Sequence, residues 1–194
     1  KLEGLCMEPK IEKFLITHEE ALLVIVDVQE KLASAMKSEI VEKLLKNITV
    51  LTELCKIYKI PVILTEQYPK GLGNTLKEIK EILNGSAIEK IHFSCVQQNE
   101  FISRIEELGR KKIILTGMET HVCVWQTALD LLLRDYNVFV PYDAVCSRRK
   151  EDWKIALELI KEAGGVITCT ETLTFQILKK AGTVEFKKML EFIK

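Results

Sequence analysis

The chain is 194 residues long, with 28 lysines and arginines balanced by 28 aspartates and glutamates, 47% apolar residues and 29% charged residues. A formal charge of zero offers no electrostatic footprint for nucleic acid or an anionic membrane surface. The longest uninterrupted apolar run, residues 21–26, falls far short of the ~20 that a membrane-spanning helix requires.

The chain opens Lys-Leu-Glu-Gly-Leu-Cys-Met, which reads as a trimmed start and not as a secretory signal. A cytoplasmic location is therefore expected. Length and composition predict one domain over residues 1–194, with residues 1–20 as an N-terminal extension. The six cysteines, at positions 6, 55, 95, 123, 146 and 169, never approach a C-x-x-C spacing and read as reduced thiols.

Strand-length apolar runs recur at 21–27, 61–66, 87–93, 111–117, 137–141 and 166–169, so six strands are expected. Val24-Ile25-Val26 and Ile113-Ile114-Leu115 are continuously apolar, as in strands covered on both faces. Between the first two strands, residues 39–59 carry apolar positions three and four apart and stop before Ile60-Pro61, the pattern of an amphipathic crossover helix. Further helices are expected at 98–108, 119–134, 149–163, 171–180 and 183–193. Strands alternating with helices predict a three-layer α/β fold around a mostly parallel sheet, with helices on both faces. The long irregular segment 66–74, with Pro69, Gly71 and Gly73, follows the second strand. It is a lid or pocket wall, or a plain surface connection.

Gly71-Leu72-Gly73 begins a G-x-G, but Leu76 stands where a dinucleotide fingerprint needs its third glycine, and no phosphate loop is present. No cofactor is expected. With only His18, His92 and His121, no metal site is expected either.

Three polar residues stand out. Asp27 directly follows Val24-Ile25-Val26 and faces the crevice or caps the next helix. Lys90 lies within the third strand, where a buried ammonium needs a carboxylate partner unless the side chain snorkels to the surface. Cys123 falls in the first turn of the helix after the fourth strand, either as a small buried thiol or as a thiolate favoured by the helix N-terminus. In the second case a neighbouring ammonium brings its titration below the ~8.5 of a free cysteine. Acid, ammonium and thiol sit at or in three different parallel strands, so all three can converge.

The chain resembles the isochorismatase-like, or cysteine hydrolase, superfamily. The resemblance rests on 24–29, on Lys90 with Phe93 and Ser94, and on Thr116-Gly117-Met118-Glu119-Thr120-His121-Val122-Cys123-Val124. It is nearest to the isochorismatase domain-containing proteins through 64–73 and 143–148. The resemblance implies a Rossmann-like six-stranded sheet and an Asp27, Lys90, Cys123 triad. It also implies a cis bond between Met118 and Glu119, with the Glu119 and Cys123 N–H groups forming an oxyanion hole. Nicotinamidase-type relatives bind a metal through one Asp and two His after the second strand, whereas no His occurs here between His18 and His92. Isochorismatases proper lack the cysteine that this chain keeps.

The expected function is hydrolysis of a small amide or related C–N bond through a thioester on Cys123. Gln29, Tyr68 and Phe93 are candidate pocket residues, chosen because they flank the triad in sequence. The expected partners are a small-molecule substrate and, by resemblance, further copies of the chain, with no nucleic acid and no membrane. The alternatives are a non-enzymatic oligomeric interaction protein and a vinyl ether hydrolase.

Overall fold

The computed structural model describes residues 11–83 and 85–193, so residues 1–10 of the expected N-terminal extension, Cys6 included, lie outside the described residues. The elements in chain order are β1 (Ala21–Val26), α1 (Glu30–Ser34), α2 (Ser38–Tyr58), β2 (Val62–Gln67), α3 (Pro69–Leu72), α4 (Lys77–Ile82), β3 (Ile88–Lys90) and α5 (Asn99–Leu108). There follow β4 (Lys112–Met118), α6 (Trp125–Leu132), β5 (Asn137–Pro141), β6 (Val145–Cys146), α7 (Lys150–Glu162), β7 (Val166–Thr168), α8 (Thr170–Leu178) and α9 (Val184–Ile193).

The strands pair in parallel in the order β3-β2-β1-β4-β5-β7. This is the expected three-layer α/β fold, with seven strands among the described residues instead of six. The extra strand, β6, is two residues long and pairs with the end of β4, Gly117 with Val145 and Met118 with Cys146, beyond the point where β5 leaves that edge. Two residues are too few to carry a period, which is why the sequence pattern does not reveal them.

All six residues of β1 are buried, and alternate ones feed the two cores. Leu23 and Ile25 pack toward α2, α8 and α9, while Leu22, Val24 and Val26 pack toward α5, α6 and α7. Residues buried on both faces explain the unbroken apolar run.

The sheet order reverses between β1 and β4, and in open α/β sheets the ligand crevice lies outside the strand ends at such a point. Gly117 lets the two strand ends close there. It sits opposite Val26 at φ 109, and a Cβ on it would lie 2.0 Å from the Val26 carbonyl oxygen.

Two elements near the crevice depart from expectation. The third strand stops at Lys90 instead of running to residue 93, because the chain bends through 91–94 and brings the His92 and Phe93 carbonyls onto the Lys90 ammonium. Segment 66–74 is more ordered than its composition suggests: β2 runs to Gln67, and the short helix α3 follows with Pro69 at its start.

Candidate active site

Asp27 lies at the end of β1 with φ 50, in a region that aspartate enters more readily than most residues. It does not cap α1, whose N-cap is Gln29 without a side-chain bond. The carboxylate instead accepts from Thr65 Oγ1 at 2.7 Å on Oδ1 and from Lys90 Nζ at 2.6 Å on Oδ2. Both side chains of the Asp27–Lys90 pair are 0% exposed, so Lys90 does not snorkel.

The ammonium has three protons and four acceptors in reach: Asp27 Oδ2, Gln67 Oε1 at 2.7 Å, Phe93 O at 3.0 Å and His92 O at 3.3 Å. Burial works against its charge, but the carboxylate of Asp27, helped by the nearby sulfurs, outweighs burial and holds Lys90 above its ordinary range. Lys90 is thus a fixed cation whose protons are already committed.

Cys123 is 5% exposed and its buried thiol feels both the Asp27 carboxylate and the Lys90 ammonium, so the structure brings all three sequence-identified residues together. The expected low titration of its thiol is not what the geometry produces. Burial pushes the thiol well above its usual range, the Asp27 carboxylate pushes it further, and Lys90 only partly opposes them. The expected α-helical first turn is also different. Thr120–Val124 forms a π-helical turn, with Val122 and Val124 N–H both donating to the Glu119 carbonyl, and α6 begins only at Trp125. Such turns are frequent at functional sites.

The Met118–Glu119 peptide bond is cis. The Glu119 side chain is buried, and its Oε2 accepts from Arg148 N at 3.0 Å and Nε at 3.1 Å.

Of the three candidate pocket residues, Tyr68 (54% exposed) and Phe93 (53% exposed) are open to solvent. Tyr68 borders a cleft of about 330 Å³ with Pro69, Lys90, Ile91 and Gln98. Gln29 does not line it. Its side chain is fully buried and ties β2 to the turn after α3, donating to Gln67 O (3.0 Å) and Gly73 O (2.7 Å) and accepting from Gln67 N (2.8 Å).

Residues 65–67, which sequence reasoning passed over, act here in series. Thr65 holds Asp27, Glu66 Oε1 accepts from Thr75 N and Oγ1 at 2.6 Å each, and Gln67 holds Lys90. Three consecutive polar residues closing a buried strand were the available signal. Cys95 was passed over as well, and its buried sulfur lies 3.8 Å from Thr65 Oγ1.

Comparison with known proteins places this site in a lineage. The isochorismatase domain family matches residues 21–172, which include Asp27, Lys90 and Cys123. The chain belongs to the isochorismatase family. It is accordingly a hydrolase.

Isochorismatase family protein 1A of Dictyostelium discoideum is 42% identical over 144 residues, covering 71% of this chain and 69% of that protein. Among solved structures, the MAR1 ribonuclease from Caenorhabditis elegans is 34% identical with a TM-score of 0.85, covering 92% of each chain. The YcaC gene product from Escherichia coli, described as an octameric hydrolase of unknown specificity, shares the fold at a TM-score of 0.85 and 21% identity, over 95% of this chain and 92% of its own. Among the described residues no helix is long and apolar enough to cross a membrane.

Proposed function

We propose that the chain is a cysteine-dependent hydrolase that cleaves a small amide or related C–N bond through a thioester. The observation that carries this reading is a buried carboxylate, Asp27, locked to a buried ammonium at 2.6 Å, with the buried Cys123 thiol under the influence of both.

Because the resting thiol is neutral, attack and proton removal coincide: Cys123 Sγ bonds the substrate carbonyl carbon as its proton passes to Asp27. The Glu119 and Cys123 N–H groups stabilise the tetrahedral oxyanion, each well-placed donor contributing roughly 3 kcal/mol in comparable sites. Asp27 returns the proton to the leaving nitrogen, the C–N bond breaks, and a thioester remains. Asp27 then takes a proton from water as hydroxide adds to the thioester, the C–S bond breaks with return of that proton from Asp27 to the sulfur, and the acid product leaves with thiol and carboxylate restored. Lys90 binds Asp27 Oδ2 throughout and keeps the acid in place.

Tyr68 and Phe93 meet the substrate at the mouth, and copies of the chain associate, as the E. coli neighbour's octamer does for that protein. The C. elegans relative is called a ribonuclease. In this chain 28 positive charges are cancelled by 28 negative ones, which favours a small uncharged substrate over a polyanion.

Ammonia release from a panel of small primary amides tests the reading, with wild type active and Cys123→Ala inert. Turnover that survives Cys123→Ala but not Asp27→Ala would mark a vinyl ether hydrolase. Alkylation of Cys123 no faster than of Cys55 or Cys146 would mark a protein that works by association alone.

A further inference from the structure

Asp27, Thr65 and Cys95 are each 0% exposed, so in the resting site the oxygen that Thr65 holds is satisfied by protein groups. A carboxylate only accepts hydrogen bonds, so the single Thr65 hydroxyl proton points at Asp27 Oδ1 across 2.7 Å. The Cys95 thiol, 3.8 Å from the same hydroxyl, is then left to donate to a lone pair of Thr65 Oγ1. Burial and the Asp27 carboxylate raise that thiol and Lys90 lowers it, leaving it at about 11 and protonated at neutral pH, as a donor must be. Its own backbone N–H is fixed by Thr127 Oγ1 on α6 at 3.0 Å. The resting chain of bonds therefore runs Cys95 S–H to Thr65 O–H to Asp27 Oδ1.

A mechanism in which Asp27 cycles between carboxylate and acid needs surroundings that satisfy both forms, because an unpartnered buried polar group is costly. Oδ2 does not suit the proton, since it already accepts from the Lys90 ammonium at 2.6 Å. We propose that Thr65 and Cys95 are positioning residues that form a reversible hydrogen-bond socket, directing the proton taken from Cys123 onto Asp27 Oδ1.

When that proton arrives, the Thr65 hydroxyl rotates. It accepts from Oδ1–H and turns its own proton to the Cys95 sulfur, while the Cys95 S–H swings aside. No bond to Thr65 or Cys95 is made or broken, and the rotation reverses when Asp27 releases its proton. A thiol suits the far end because leaving a weak S–H donor unpaired costs less than leaving a hydroxyl unpaired.

This inference rests on the thiol mechanism above and deepens it. The titratable groups facing Asp27 are Lys90 from β3, Cys95 from the turn after it and Cys123 from the π-helical turn.

The test is the pH dependence of Cys123 alkylation by iodoacetamide, read at peptide level in wild type, Thr65→Val, Thr65→Ser and Cys95→Ala. Thr65→Val removes a hydrogen bond to the carboxylate, so the acid limb should move up by about one to two pH units. Thr65→Ser should overlay wild type, and Cys95→Ala should move the limb the other way by less, because it takes the Thr65 hydroxyl's acceptor from the acid form and only a weak S–H donor from the carboxylate form. A Thr65→Val limb that overlays wild type, or a Thr65→Ser limb that follows Thr65→Val, would overturn the socket while leaving the nucleophile intact. If Thr65→Val does not fold, Cys95→Ala decides, since an unmoved limb there breaks the relay. If wild-type Cys123 is no more reactive than Cys55 and Cys146, the nucleophile reading falls and the socket with it.

Discussion

Replacing Lys90 by Met keeps an unbranched side chain and deletes the charge, so it isolates what the ammonium does. The structure sets the scale. Asp27 loses its 2.6 Å partner, Gln67 Oε1 loses a 2.7 Å donor, and the His92 and Phe93 carbonyls lose theirs, all at a pair with 0% side-chain exposure. Removing one member of a buried ion pair costs about 3–5 kcal/mol, because the remaining charge is left uncompensated. At about 2–4 °C per kcal/mol for a chain of this size, the melting temperature should fall by about 6–20 °C. The deficit should shrink as pH falls, since protonating the stranded carboxylate removes the buried charge. Asp27→Asn combined with Lys90→Met should recover part of the loss at neutral pH for the same reason. Denaturant unfolding of wild type, both single variants and the double variant at pH 7 and pH 5 measures all of this. A Lys90→Met protein within about 1 kcal/mol of wild type, with no pH dependence in the difference, would show that the pair is neither buried nor coupled as described.

Asp27→Asn should bring the Cys123 thiol back toward its usual range, since after burial the carboxylate is the largest cause that raises it, yet amide turnover should vanish with the proton acceptor. Thiol reactivity and product release measured side by side separate the two effects. Gln29→Ala should loosen the turn after α3 at a cost of about 1–3 kcal/mol, because Gln67 and Gly73 lose three bonds of 2.7–3.0 Å; hydrogen exchange over residues 68–75 reads this directly. Alkaline stability should decline early. Cys55, Cys95, Cys123 and Cys146 are all raised in the folded state, chiefly by burial, so their contribution is complete below the unfolded-state value and is lost as pH climbs past it. Each thiol should remove up to about 1.4 kcal/mol per pH unit above ~8.5, and Cys55→Ala should flatten the slope of unfolding free energy between pH 9 and 11 by about one thiol's share.

The parallel sheet was legible because β1 and β4 are buried on both faces and show it as unbroken apolar runs. That Asp27, Lys90 and Cys123 come together was legible because each lies in or just after a different parallel strand, and the resemblance is what suggested a triad. What stayed illegible is what depends on a partner far away in sequence. Three consecutive polar residues closing a buried strand mark Thr65 and Gln67 as unusual, but nothing local says what they hold. Their meaning comes from register, which sets Thr65 beside Val26 and Gln67 beside Lys90. Gln29 failed in the opposite direction: closeness to Asp27 in sequence suggested the pocket, whereas its amide turned inward to the backbone of β2. The third strand misled because its apolar character continues past Lys90 while the backbone does not, the ammonium having drawn two carbonyls out of strand geometry.

The thiol is the most informative departure. A helix N-terminus and a nearby ammonium argue for a thiolate, and both features are present in modified form. The reasoning failed on competition for protons and charge. Lys90 commits its hydrogen bonds to Asp27, Gln67 and two carbonyls, which leaves only its field for the sulfur, and Asp27 lies closer in effect with the opposite sign. In the proposed mechanism the site keeps the thiol protonated until an electrophilic carbon is at hand, because ionising it early would place two anions in one dry crevice. Selectivity then follows from the same arrangement. In the proposed mechanism the thiol is activated only as its proton moves to Asp27, and that transfer becomes favourable only as the sulfur's negative charge is taken up in bonding an electrophilic carbon.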